Sequence, residues 1–137
     1  MRTLTAEAFH ETVTYCFSKV LETMGVSVRE VVYAHLNKKG ITEADICTKF
    51  DDVFKVLTES FGGSARIIIY KTITELFQQY SSRVDFTYQD PLRVQFFALE
   101  ERVIADHLLP HRARAQGADM FDTLRTLVHP APLARSP

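Results

Sequence analysis

The chain has 137 residues, 46% of them hydrophobic and 24% charged, with sixteen Lys and Arg against seventeen Asp and Glu. That composition excludes disordered, collagen-like and disulfide-dense classes, and the formal charge of -1 gives no global attraction for nucleic acid or anionic membrane. Cys16 and Cys47 sit in apolar helical patterns away from any CxxC spacing, so they read as reduced and structural. Charges interrupt the N-terminal stretch and no run of eighteen apolar residues occurs, which points to a cytoplasmic protein without a membrane segment.

In chain order, Phe9, Val13, Cys16, Phe17, Val20, Leu21 and Met24 recur at helical spacing and predict a helix over about residues 6–24, capped by Thr5 and ended by Gly25. Ser27 and Glu30 have capping-box spacing, with Val26 and Val31 at the staple positions. A second helix follows with Val28, Val31, Val32 and Leu36 inward, ending near Gly40. Thr42 and Asp45, flanked by Ile41 and Ile46, repeat that syntax in a short turn. Phe50, Val53, Phe54, Leu57 and Phe61 mark a third helix that stops at Gly62-Gly63.

Ser64 is the expected N-cap of a fourth helix, with Ala65, Ile68, Ile69, Ile73, Leu76, Phe77 and Tyr80 on its inner face. Arg66–Tyr70 alone could be a strand, but the longer period outweighs it. Residues 83–89 alternate Val84, Phe86 and Tyr88 and read as a packed connector. Asp90-Pro91 opens a helix over 91–109, with Leu92, Phe96, Leu99 and Val103 on one face and Phe97, Ile104 and Leu108 around from it, until Pro110 closes it. Asp119 begins a last short helix carrying Phe121, Leu124 and Val128, and a proline-rich tail follows. The expected organisation is one helical domain over 1–109, then a short helix and flexible tail over 110–137.

Residues 17–36 match residues 54–73 without gaps at an offset of 37, with six identical pairs: Phe17/Phe54, Glu22/Glu59, Gly25/Gly62, Ser27/Ser64, Arg29/Arg66 and Tyr33/Tyr70. The match spans helix, turn and helix in both copies and reads as a duplicated hairpin, since one hairpin cannot hide its apolar face but two can. The expected fold is therefore all-α, two duplicated helical hairpins forming a four-helix core, plus a long C-terminal helix. The run of helix, glycine and capped helix, then GITEADI and FDDVFKVLTESFGGSARIIIYKTITELFQQY, resembles a small archaeal helical family of uncharacterised function over about residues 13–80. The resemblance implies a helical fold and no activity.

Arg29 and Arg66 stand in first helical turns, where the dipole favours acids. They could join Ser27 and Ser64 in an anion site, or pair across the turns with Glu22 and Glu59, which the repeat of both partners favours. His107 and His111 have i,i+4 spacing, but Pro110 falls between them, so no metal and no cofactor is expected. His10, His35 and His129 are scattered. Nucleophile and phosphate-loop motifs are missing, hence no enzyme is expected. The favoured function is a non-enzymatic protein-interaction or regulatory module that self-associates, with Phe97, Ile104, Leu108, Phe121 and Leu124 as interface candidates. Two alternatives stand beside it. One is a winged-helix-like DNA-binding regulator, disfavoured because Asp51 and Asp52 open the helix that would read bases and residues 27–80 carry seven basic and seven acidic side chains. The other is a small-molecule sensor with a pocket between the hairpins.

Overall fold

The computed structural model describes residues 3–87 and 89–113, and over these it is all-helical, with no strand. Tyr88, the helix expected from Asp119 with Phe121 and Leu124, and the proline-rich tail lie outside the described residues. The elements are α1 (Leu4–Met24), α2 (Val26–Lys38), a 3-10 turn (Glu43–Asp45), α3 (Phe50–Phe61), α4 (Ser64–Gln79) and α5 (Leu92–Asp106). None of these helices is long and apolar enough to cross a membrane.

Helix α1 packs against α2, α4, α5 and the 3-10 turn, and α3 packs against α2 and α4. The inner stripe of α1, Phe9, Val13, Cys16, Phe17, Val20 and Leu21, is buried, whereas Met24, expected on the same stripe, is exposed at the end of the helix. Thr12, the one fully buried polar residue of that face, returns its hydroxyl to the Ala8 carbonyl at 2.6 Å, so it is not stranded in the core. Every inward residue expected for α4 is buried, including Ile68 and Ile69, so Arg66–Tyr70 is helical. Phe86 is buried from the connector and meets Tyr70 and Phe77 edge-on.

The helix ends depart from the expected caps by one or two residues. Thr3, not Thr5, caps α1, accepting from the Ala6 N–H at 3.1 Å, while Thr5 is buried. Gly25 alone separates α1 from α2: its N–H returns to the Leu21 and Glu22 carbonyls, both at 3.1 Å, and its carbonyl receives the Arg29 N–H at 3.2 Å. With φ 131° and ψ 146° it occupies backbone space open essentially to glycine alone. Because α2 starts at once, Ser27 lies inside the helix and makes no cap, and Val26 and Val31 are exposed instead of stapled. Gly63 likewise takes the cap position of α4, with Ser64 as its first helical residue. At Thr42 the expected box forms: its N–H and hydroxyl both donate to Asp45 Oδ2, at 3.0 and 2.9 Å, over buried Ile41 and Ile46.

Helix α5 begins one residue later than expected, with Pro91 as its cap residue, because the Asp90 carboxylate turns back to accept from the Thr87 N–H at 2.8 Å. It ends at Asp106, before Pro110, when His107 adopts a left-handed conformation and the Leu108 N–H reaches the Val103 carbonyl at 3.0 Å. Leu92, Phe96, Leu99 and Val103 are buried, and Phe96 stacks flat on Phe50, with ring centroids 3.9 Å apart. Leu108 packs partly on the core, whereas Val94, Phe97 and Ile104 remain exposed.

Candidate functional site

The apolar residues that the turns leave uncovered gather around one concavity. Met24 at the end of α1, Ser27, Val28, Val31 and Val32 of α2, Phe61 at the end of α3, and Ser64 and Ile68 of α4 line a cavity of about 330 Å³. That volume lies at the small end of ordinary ligand pockets, about 300–1,000 Å³. Val32 and Ile68 form a buried floor, Val28 and Phe61 are half-buried walls, and Met24, Val31 and the two serines are exposed at the mouth. Three pairs of these residues, Met24/Phe61, Ser27/Ser64 and Val31/Ile68, stand 37 positions apart.

The local backbone explains why this surface is open. A single-residue break at Gly25 leaves no loop to fold over the end of α1, and Gly62-Gly63 has no side chains to cover the corresponding end of α3. The lining offers two hydroxyls and no charge, which suits a small, largely apolar, uncharged ligand with one or two hydrogen-bonding atoms.

The serines proposed for anion binding thus share one cavity, but the arginines are otherwise engaged. Arg29 lies between two carboxylates, with its Nε 3.5 Å from Glu22 and Nη2 3.2 Å from Glu43, and its guanidinium sits 5.2 Å from the centre of the Tyr33 ring. The ion-pair reading therefore describes Arg29, extended by a second acid. Arg66 takes a different course and donates to the Asp90 carbonyl at 2.6 Å, holding the start of α5 near α4. The position 37 residues after Glu43 is Tyr80, which is buried, so no second acid stands there for Arg66.

The histidines separate in the same way. His35 bridges α2 to α3, with Nδ1 3.4 Å from Ser60 Oγ and its ring edge-on to Phe61 at 5.2 Å, so it supports a cavity wall. His111 pairs through Nε2 with Ser81 Oγ at 2.7 Å, while His107 caps α5, so the i,i+4 spacing brings no two imidazoles to one ligand. His129 is outside the described residues.

A second group of chemically capable side chains has no local signature. His10 of α1, Cys47 ahead of α3 and Glu100 of α5 place their ligand atoms within 4.8 Å of one another. Cys47 is buried, its Sγ 3.9 Å from Glu100 Oε2, and burial raises the Glu100 carboxyl above its ordinary value while the thiol opposes that shift. The other thiol, Cys16, is pushed up to about 12, chiefly by burial and then by the nearby Glu75 carboxylate. It is a core residue, protonated across the physiological range.

No protein-family model, curated protein or solved structure matches the chain.

Proposed function

We propose that this chain is a non-enzymatic helical regulatory module that binds a small, largely apolar ligand in the cavity between two duplicated hairpins. The observation that carries the reading is the lining itself: three pairs of side chains related by the 37-residue offset converge on one apolar concavity with two serine hydroxyls. In this reading residues 17–36 and 54–73 are copies of one hairpin, their four helices form the core, and the cavity lies where the two turns meet. The likeness to a small archaeal helical family over residues 13–80 supports the helical fold and no activity. Two buried cysteines outside any disulfide suit a reducing, cytoplasmic setting. Asp51 and Asp52 in the first turn of α3 weigh against docking that helix on DNA phosphates.

The test uses Nile red, a neutral apolar dye, as the probe. Its fluorescence should rise on titration into the full-length protein, and Val28→Trp, which fills the cavity, should weaken binding at least tenfold. Equal binding by the filled variant, with its helical circular dichroism retained, would place the dye elsewhere and refute the site.

A second reading, self-association, is favoured by Val94, Phe97 and Ile104, which form one exposed strip on α5 opposite its buried face. Sedimentation equilibrium decides it: a dimer that Phe97→Glu with Ile104→Glu converts to monomer supports it, and a monomer at every concentration refutes it.

A further inference from the structure

Glu100 projects from α5 between Phe96 and Val103, two fully buried residues on the face that α5 turns toward the rest of the chain. A half-buried carboxylate on an apolar face calls for a positive partner. Among the described residues no ion pair includes it. Instead it faces a thiol and an imidazole brought in by two other elements, Cys47 from the segment between the 3-10 turn and α3, and His10 from the second turn of α1. One sulfur, one nitrogen and one oxygen donor, each from a different part of the chain, is not a pattern that helix packing produces by apolar burial.

We propose that His10, Cys47 and Glu100 form a binding site for a divalent cation of the zinc class, with a fourth position left to water, and that the ion ties α1, the segment entering α3, and α5 together. Three atoms within 4.8 Å of one another share a centre no more than about 2.8 Å from each, so closure to zinc bond lengths of about 2.0–2.3 Å takes side-chain movements of up to about an ångström. The donor set chooses the ion. Thiolate and imidazole favour zinc and its neighbours over magnesium or calcium, which require oxygen. Binding displaces the thiol proton, and thiolate and carboxylate together cancel the charge of the ion, so a neutral cluster forms in the half-buried space beside Glu100. Burial of the Cys47 sulfur argues against the rival use of the same residues, a nucleophilic thiol, since a substrate would not reach it.

The test takes the full-length protein, reduced and freed of metal, and titrates it with Co2+ and then with Zn2+ against a chromophoric chelator. Expected are one equivalent bound, the intense visible bands of tetrahedral cobalt, a thiolate-to-cobalt charge-transfer band, and a higher unfolding temperature with Zn2+. Cys47→Ala should abolish the charge-transfer band and weaken Zn2+ binding at least ~100-fold, more than the loss of an outer-sphere partner costs. His10→Gln and Glu100→Gln should weaken binding while keeping the band, and Cys16→Ala should change neither. Circular dichroism of each metal-free variant separates lost ligation from lost fold. If a variant does not fold, slowing of Cys47 alkylation by Zn2+ in the Cys16→Ala protein, followed in enough urea for the buried thiol to be exposed transiently, gives the same answer. Absence of binding, a charge-transfer band that survives Cys47→Ala, or no protection of Cys47 would overturn the proposal.

Discussion

Removing the Phe96 ring tests how α5 is attached. The ring is fully buried, stacked on Phe50 with an interplanar angle of 4° and tilted against Phe9 at 5.8 Å, so Phe96→Ala empties a volume walled by α1, α3 and α5. Truncations of this kind cost about 3–5 kcal/mol, and loss of three aromatic contacts, to Phe50, Phe9 and Phe97, places this one toward the upper end. For a chain of this size the midpoint of thermal unfolding should fall by roughly 10–20 °C. Phe97→Ala is the internal standard: that ring is 37% exposed and covered on one side by the Arg93 guanidinium at 5.3 Å, so its removal should cost about 1 kcal/mol or less. Urea unfolding followed by circular dichroism measures both. Equal costs for the two substitutions would mean that α5 is not seated on α1 and α3 through Phe96, and the packing argument would fail.

Gly25→Ala should destabilise by about 1–3 kcal/mol for conformational reasons alone, because a Cβ there meets nothing closer than Val28 Cγ2 at 3.8 Å. Gly40→Asn, at φ 79°, should lose less than half as much, and chemical denaturation of the pair checks the contrast. The Asp45 carboxyl is held below its ordinary value, first by the Thr42 N–H and then by the Thr42 hydroxyl. Its contribution is therefore complete above the unfolded-state pKa and fades as pH falls through the folded one, and Asp45→Asn should flatten the acid limb of a stability-against-pH curve. An unchanged limb would remove the carboxylate from the capping turn. Cys16, with its pKa pushed up to about 12 and its sulfur buried, should resist iodoacetamide at pH 8 in a folded Cys47→Ala protein and react once urea unfolds it. Equal rates in both states would contradict its burial.

Apolar period was the dependable signal in the sequence. It placed the inward faces of α1, α4 and α5, because a stripe that continues over several turns has one low-energy solution. Caps were misplaced wherever two candidates stood close together: Thr3 and Thr5 each precede a helical run, and only the packing of Thr5 into the core decides between them. Ser27 and Ser64 read as caps because serine usually is one there, but glycine ahead of each begins the helix earlier and leaves the hydroxyls to the cavity mouth. The cavity was legible only as an alternative, since its existence depends on how far apart two turns are held. His10, Cys47 and Glu100 were not legible as a group: no short spacing joins them, although the offset that aligns the hairpins also sets His10 against Cys47.

The packing of α1 has a consequence in time as well as in space. This helix leaves the ribosome before its partners, and two of them, α4 and α5, come from residues 64–79 and 92–106, so it spends much of synthesis with part of its apolar face uncovered. Local contact with α2 across Gly25 can form early, whereas enclosure waits for a chain segment some forty residues downstream. The nascent protein therefore passes through a stage at which a chaperone that holds apolar helices has something to grip, and a stall after α3 should leave an aggregation-prone fragment.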